Sequence, residues 1–302
     1  MRRRYADHQF LTGSVAATLK SALDQLYSAF DVADSAVDPV HLVRRYPRLD
    51  DREVVGFVAA GLAFGRVASV INIIDDVRNV LGPSPARFVR RFDPGAHGAP
   101  LRALGHRWTR GPDLVALVWV LRQFLERYGS LEGAVAHGLE PDAPDIHDAL
   151  ERFSREAQTV DLGPAYGRVP RRPGVFFFFS RPSAGSACKR LNLFLRWMVR
   201  HDAVDPGGWS TVPARRLVVP LDTHTIRTGR CLRLTRRTSP GWPMAADITE
   251  ALRRIDPDDP VRYDFGLCHL SMMKGCGLGR TQGSRQCPLR GHCRPGRARK
   301  RS

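Results

Sequence analysis

Residues 182–200 read PSAGSACKRLNLFLRWMVR, a proline and glycine turn of small residues that leads directly into an amphipathic helix. The first turn of that helix holds one lysine, Lys189. The small residues Gly185, Ser186 and Ala187 let backbone amides at a helix start come close to a phosphate. Lys189 then stands on a rigid element near the positive end of the helix dipole, which lowers the cost of the neutral amine. Its plainer use is one more phosphate contact.

Outward from this stretch, apolar residues recur at helical spacing through most of the chain, and no run of strict alternation is long enough for a sheet. The fold class is therefore all α. Helices are predicted over roughly Gly13–Ala29, Asp51–Phe64, Val67–Leu81, Pro83–Arg91, Pro112–Tyr128, Leu131–Ala136, Ile146–Ala157, Gly185–Arg200, Thr223–Leu232, Met244–Arg254 and Pro260–Met272. Asp51, Ser84 and Ser130 supply start signals, and Pro112 and Pro260 suit a first turn. Pro and Gly clusters at 93–100, 161–174, 205–213 and 239–243 mark loops. Val175–Phe179, with its four phenylalanines, reads as a short apolar lead-in packed under the next turn, not as a strand or a base-stacking surface.

The chain has 302 residues, 43% hydrophobic and 25% charged, which excludes general disorder. Its longest apolar stretches fall short of the roughly 20 residues of a membrane span. The basic start MRRRYADHQF lacks the apolar core of about 7 to 15 residues of a secretory signal. A soluble, cytoplasmic, nucleoid-associated monomer with no membrane partner is expected. The 47 Lys plus Arg against 30 Asp plus Glu give a net charge of +17. No acidic residue follows Asp264, while nine Lys and Arg do. Counterion release from a phosphate backbone is the usual use of such a distribution, so nucleic acid is the first partner to consider. Arginine outnumbers lysine 43 to 4, so Lys189 in an arginine-rich helix invites chemistry that a guanidinium cannot do.

The second informative stretch is PLDTHTIR, residues 220–227. Asp222 stands where an N-cap should stand, its carboxylate held by backbone amides. A capping aspartate can still turn its other oxygen into a site.

Together, GSACKRLN and LDTHTIR resemble the hairpin with its catalytic lysine, G-x-G-x-K-x-x-N, and the V-D-T-H-x-x-R of helix-hairpin-helix DNA glycosylases of the endonuclease III-like kind. SACKRLNLFLRWMVR with PLDTH, DPDDPVRYDFGL, DDREVVGFVAAGLAFGR and His106–Trp108 is similar, over nearly the whole chain, to an uncharacterised bacterial and archaeal family related to that superfamily. The resemblance implies a two-domain fold: a helical barrel over residues 50–205, and a second domain from 1–49 with 215–302. It implies base excision with abasic-site lyase activity on double-stranded DNA carrying a damaged or flipped base, which must first leave the stack. The matching Lys189 attacks C1′ and forms a Schiff base, and the matching Asp222 assists departure of the base. Gly185, Ser186, Ala187, Arg190, Arg196, Arg227 and Arg66 are the expected DNA contacts. Lys189 and Asp222 are 33 positions apart, more than in the family pattern, so a polar segment around Asp202–Arg216 should loop out. Ala187 replaces the second hairpin glycine, where a left-handed backbone is strained.

Cys276, Cys287 and Cys293 lie in the acid-free C-terminal stretch, and CPLRGHC is similar to the end of the family's iron-sulfur loop. One expected cysteine is absent. Cys268 or His292 would complete a 4Fe-4S cluster, or zinc would replace it; a metal-free loop is the other reading. Cys188 and Cys231 read as small buried residues. His106, His224 and His269 read as packed hydrogen-bonding residues. A non-catalytic nucleic-acid-binding protein on the same scaffold is the alternative. A metal-dependent nuclease is disfavoured, since no carboxylates are spaced for two metals.

Overall fold

The structure is a computed structural model and describes residues 13–31, 38–272 and 287–293. Among these residues there are helices and loops but no β-strand. In chain order the helices are α1 (Gly13–Phe30), α2 (Val40–Arg44), α3 (Leu49–Leu62), α4 (Val67–Leu81), α5 (Pro85–Arg90), α6 (Pro94–His97), α7 (Ala99–Arg102) and α8 (Gly111–Tyr128). They continue as α9 (Leu131–Ala136), α10 (His147–Ala157), α11 (Gly163–Tyr166), α12 (Lys189–Val199), α13 (Thr223–Cys231), α14 (Trp242–Arg253) and α15 (Asp264–Met272). No described helix is long and apolar enough to cross a membrane.

Local chemistry explains most of these limits. α4 buries Val70, Ile73, Ile74, Val77 and Leu81, one face at helical spacing. Ser130 caps α9 by accepting the Gly133 amide at 2.9 Å. Asp51 is not a cap: Arg48 holds that position, and the Asp51 carboxylate instead accepts the Ala86 amide at the start of α5, 2.8 Å away. Ser84 precedes α5 without a side-chain capping bond. The phenylalanine run forms a 3-10 turn over Gly174–Phe177, followed by the buried Phe178 and Phe179.

α3 is buried on every side from Glu53 to Leu62, so it forms the core against which other helices pack. α2, α5 and α12 lie on it, while α1 and α13 pack on α15. Gly56 sets the approach of α12, because a Cβ there would sit 3.0 Å from Met198 Cε.

Two expectations need correction. α12 begins at Lys189, four residues later than predicted, because Gly185 (φ 83°) and Cys188 (φ 49°) interrupt the helical path. The left-handed residue without glycine's freedom is thus Cys188, not Ala187, at a cost of about 1–2 kcal/mol. Its thiol is buried and donates to the Ser180 carbonyl at 3.2 Å.

The segment 202–216 does not loop out as a loose polar insertion. Val204, Asp205, Trp209 and Val212 are buried. Gly207 N donates to Trp197 O and Trp209 N to Met198 O, each at 2.9 Å, tying the segment to the end of α12. Trp209 Nε1 donates to the buried Glu53 at 2.7 Å, and the same carboxylate accepts the Leu131 and Glu132 amides at the start of α9. Burial pushes the Glu53 carboxyl above its ordinary range, against those three donors. The insertion therefore clamps α3, α9 and α12 together, and 33 positions of sequence end in a short distance between Lys189 and Asp222.

Candidate active site

Asp222 begins α13 as its N-cap. Its Oδ1 accepts the His224 and Thr225 amides, each at 2.8 Å, which leaves Oδ2 to turn elsewhere. Oδ2 faces Lys189 Nζ at 4.0 Å, and Nζ also donates to the Ala63 carbonyl at 3.4 Å, just beyond α3. Lys189 is about a third exposed, so this pair adds little stability, about 0–1 kcal/mol. Its value is positional. The ends of α3, α12 and α13 converge on an amine and a carboxylate oxygen.

The two groups line a cleft of about 460 Å³, within the range of a small-ligand site. Phe64, Lys189, Asp222, Asp264, Phe265 and Cys268 are among its walls. The Cys268 thiol donates to Asp222 Oδ2 at 3.5 Å, and burial with the nearby negative charges of Asp222 and Asp264 pushes it well above the usual thiol range. Burial likewise raises Asp264 to about 6, although Arg196 pairs with it at 2.8 Å and Thr225 Oγ1 donates to it at 3.2 Å. A second concavity, about 440 Å³ beside Trp119, has three carboxylates and one arginine among its walls. That balance repels a polyanion.

The expected nucleic-acid contacts divide into two groups. Arg66, which precedes α4, and Arg227 on α13 are exposed, as is Gly185; Ser186 and Ala187 are partly so. Ser186 Oγ accepts the Cys188 amide at 3.0 Å, and Ser183 in the same turn donates from N and Oγ to Glu151. Arg196, expected as a DNA contact, is instead buried in the cleft wall: it binds Asp205 at 3.1 Å and Asp264 at 2.8 Å, with 4% of its side chain exposed. Arg190 also turns inward. Its guanidinium lies 3.2 Å from the Phe177 ring centroid and donates to the Phe177 carbonyl, and burial lowers it to about 10.

The histidines are packed hydrogen-bonding residues. His106 Nε2 lies 2.7 Å from Phe64 O, His224 Nδ1 lies 3.1 Å from Ser271 Oγ, and His269 Nδ1 lies 3.0 Å from Phe265 O. Cys188 and Cys231 are buried. Cys276 lies outside the described residues, and with it the complete cysteine set. Cys287 and Cys293 flank the 287–293 turn, where Cys293 Sγ donates to Leu289 O at 3.2 Å, while Cys268 is committed to Asp222. No group of three His, Cys, Asp or Glu side chains among the described residues could hold a metal ion. The described residues therefore do not assemble a cluster or zinc site.

Asp264 and Phe64 were not foreseen in the cleft. The acid-dense run DPDDPVRYD was the available signal for Asp264, but its partner Arg196 is 68 positions away and unreadable from local pattern.

An all-helical protein with an amine and a carboxylate facing each other in an open cleft is the class that this fold and site define. Residues 38–273 match the family described as a protein of unknown function (DUF2400), and the chain belongs to that family. No curated protein and no solved structure matches the chain.

Proposed function

We propose that the protein is a DNA-repair base-excision glycosylase with abasic-site lyase activity, built as a two-domain helix-hairpin-helix protein. The observation that carries this reading is Lys189 Nζ at 4.0 Å from Asp222 Oδ2 within a cleft large enough for an extruded nucleotide. The net charge of +17 and the exposed Arg66 and Arg227 suit a phosphate backbone.

In this reading Lys189, once it has given up its ammonium proton, attacks C1′ of a flipped nucleotide. The N–C1′ bond forms as the bond from C1′ to the base breaks. The base leaves with that electron pair and takes up a proton, while Nζ loses one towards Asp222 Oδ2, the nearest carboxylate oxygen. Opening of the C1′–O4′ bond, with a proton to O4′, leaves an imine between Lys189 and the sugar. Asp222 also offsets positive charge on the sugar as the base departs. A cluster or zinc on Cys276, Cys287 and Cys293 remains a separate proposal, read by absorption near roughly 400 nm or by zinc content.

Borohydride reduces such an imine to a stable covalent adduct. The wild-type protein should be trapped on duplexes carrying an abasic site or an oxidised or deaminated base, and Lys189→Gln should give no adduct while keeping most duplex binding. Unchanged trapping by Lys189→Gln overturns the assignment of the nucleophile. Duplex binding with neither adduct nor base release points to a non-catalytic binding protein.

A further inference from the structure

We propose that Trp108, displayed with Arg107 on a tight turn at the rim of the cleft, is a stacking platform for an unpaired nucleobase. The proposal rests on the nucleic-acid reading above and assigns a part of the substrate that the Lys189 cleft does not itself hold.

The turn is built to present two side chains. His106 and Thr109 exchange both backbone hydrogen bonds, each at 2.9 Å, so only Arg107 and Trp108 protrude. Arg107 adopts a left-handed φ of 54°. Such strain costs about 1–3 kcal/mol and persists only where the surroundings enforce it. The enforcing group is the buried His106, whose Nε2 lies 2.7 Å from the Phe64 carbonyl oxygen and whose ring centroid lies 4.7 Å from that of Phe64. Gly65 adds the space: a Cβ there would lie 3.1 Å from Arg107 Nη1. The turn is therefore pinned to the loop that lines the cleft beside Lys189.

Trp108 is 55% exposed, the most exposed of the large apolar side chains described. A single exposed apolar residue needs no explanation. This one is held: its indole stacks on Phe64 at 4.6 Å and 17°, and Phe177 meets it edge-on at 5.3 Å. Arg190 packs its guanidinium on the Phe177 ring, 3.2 Å from its centroid. The result is a rigid aromatic stack that starts at a cleft wall and ends in solvent.

The surrounding charge selects the occupant. Arg107 lies over the Trp108 ring, 5.3 Å from its centroid, and Arg66 and Arg110, next in sequence to Gly65 and Thr109, are exposed. No acidic residue occurs between Asp93 and Asp113. A π face flanked by guanidinium groups fits a base with its phosphates, and stacking serves every base because each has a π face. Within a paired duplex both faces of a base are covered, so the platform requires an unpaired one.

Two duplexes that differ only in one unpaired 2-aminopurine test this, with affinity read by anisotropy and stacking by quenching of the 2-aminopurine. The wild type should prefer the interrupted duplex and quench its probe. Trp108→Ala should lose about tenfold in affinity for the interrupted duplex, together with the quenching, and change affinity for the paired duplex by no more than about twofold. Trp108→Leu keeps apolar bulk over Phe64 and should behave alike, so a folding defect in the alanine variant does not remove the test. Unchanged affinity and quenching in both variants, or equal weakening on both duplexes, overturns the proposal alone. Failure of the wild type to bind any duplex at about 0.15 M salt overturns the underlying reading as well.

Discussion

The two ends of α12 place cations in opposite situations. At its start Lys189 stands about a third open in a cleft, facing one carboxylate oxygen at 4.0 Å. Two and three turns on, Arg196 and Arg200 are each 4% exposed and are surrounded by Asp202, Asp205, Asp259 and Asp264. Both arginines also bind the fully buried Asp205, which burial pushes upward in spite of them. The helix and its C-cap thus carry one positive charge kept available at the start and two kept for structure at the far end. The insertion after α12 makes the difference, because it brings Asp202 and Asp205 back over the helix end while leaving the helix start uncovered.

Breaking the sealed end should have the largest effect. Arg196→Ala leaves Asp205 short of one partner and Asp264 without its arginine, and should cost about 3–5 kcal/mol in urea unfolding. A loss below about 1 kcal/mol would show that the two ends differ less than their burial implies.

At the open end, Asp222→Asn separates capping from charge. Asparagine caps about as well as aspartate, so stability should change by only a few tenths of a kcal/mol, whereas Ala costs about 1 kcal/mol. Borohydride-trapped adduct should nevertheless form about a hundredfold more slowly. Equal rates in wild type and Asp222→Asn would reduce Asp222 to a cap.

Asp264 joins the ends, since it pairs with Arg196 and lines the Lys189 cleft. Its folded value of about 6 lies above the roughly 3.9 of an unfolded aspartate. The folded state therefore holds an extra proton between about pH 4 and 6, and the contribution of this group to stability falls as pH rises through that window. Melting temperatures of wild type minus Asp264→Asn should decline from pH 4 to 6 and level off above it. A flat difference would mean that Asp264 has the same pKa in the folded and unfolded states.

The smallest stability change belongs to the exposed face. Arg66→Ala should alter stability by less than about 0.5 kcal/mol but lower the slope of log affinity against log salt by about 1. An unchanged slope would remove Arg66 from the phosphate contacts.

α4 was legible because it buries one face at a fixed period, and both α4 and α9 match their predicted limits residue for residue. α2, α6, α7 and α11 were missed, being four or five residues long, too short to show that period. Lys189 and Asp222 were legible as residue types in suggestive local settings. Arg196 was misread, since an arginine on an amphipathic helix looks solvent-facing when its partners lie 9 and 68 positions away. His106–Trp108 stood out in the chain, but its strained turn and its stack on Phe64 join segments more than 40 positions apart.

The sequence by itself determined the all-helical class, the basic surface, the cap at Asp222 and the presence of one lysine at a helix start. These depend on period, composition and neighbours within one turn of chain. Only the tertiary structure decided which cations are buried, that the 202–216 segment is a clamp, and that Asp222 turns its second oxygen to Lys189. Burial and charge pairing depend on distances through space, which the folded packing of α3, α12, α13 and α15 sets and which no local pattern encodes.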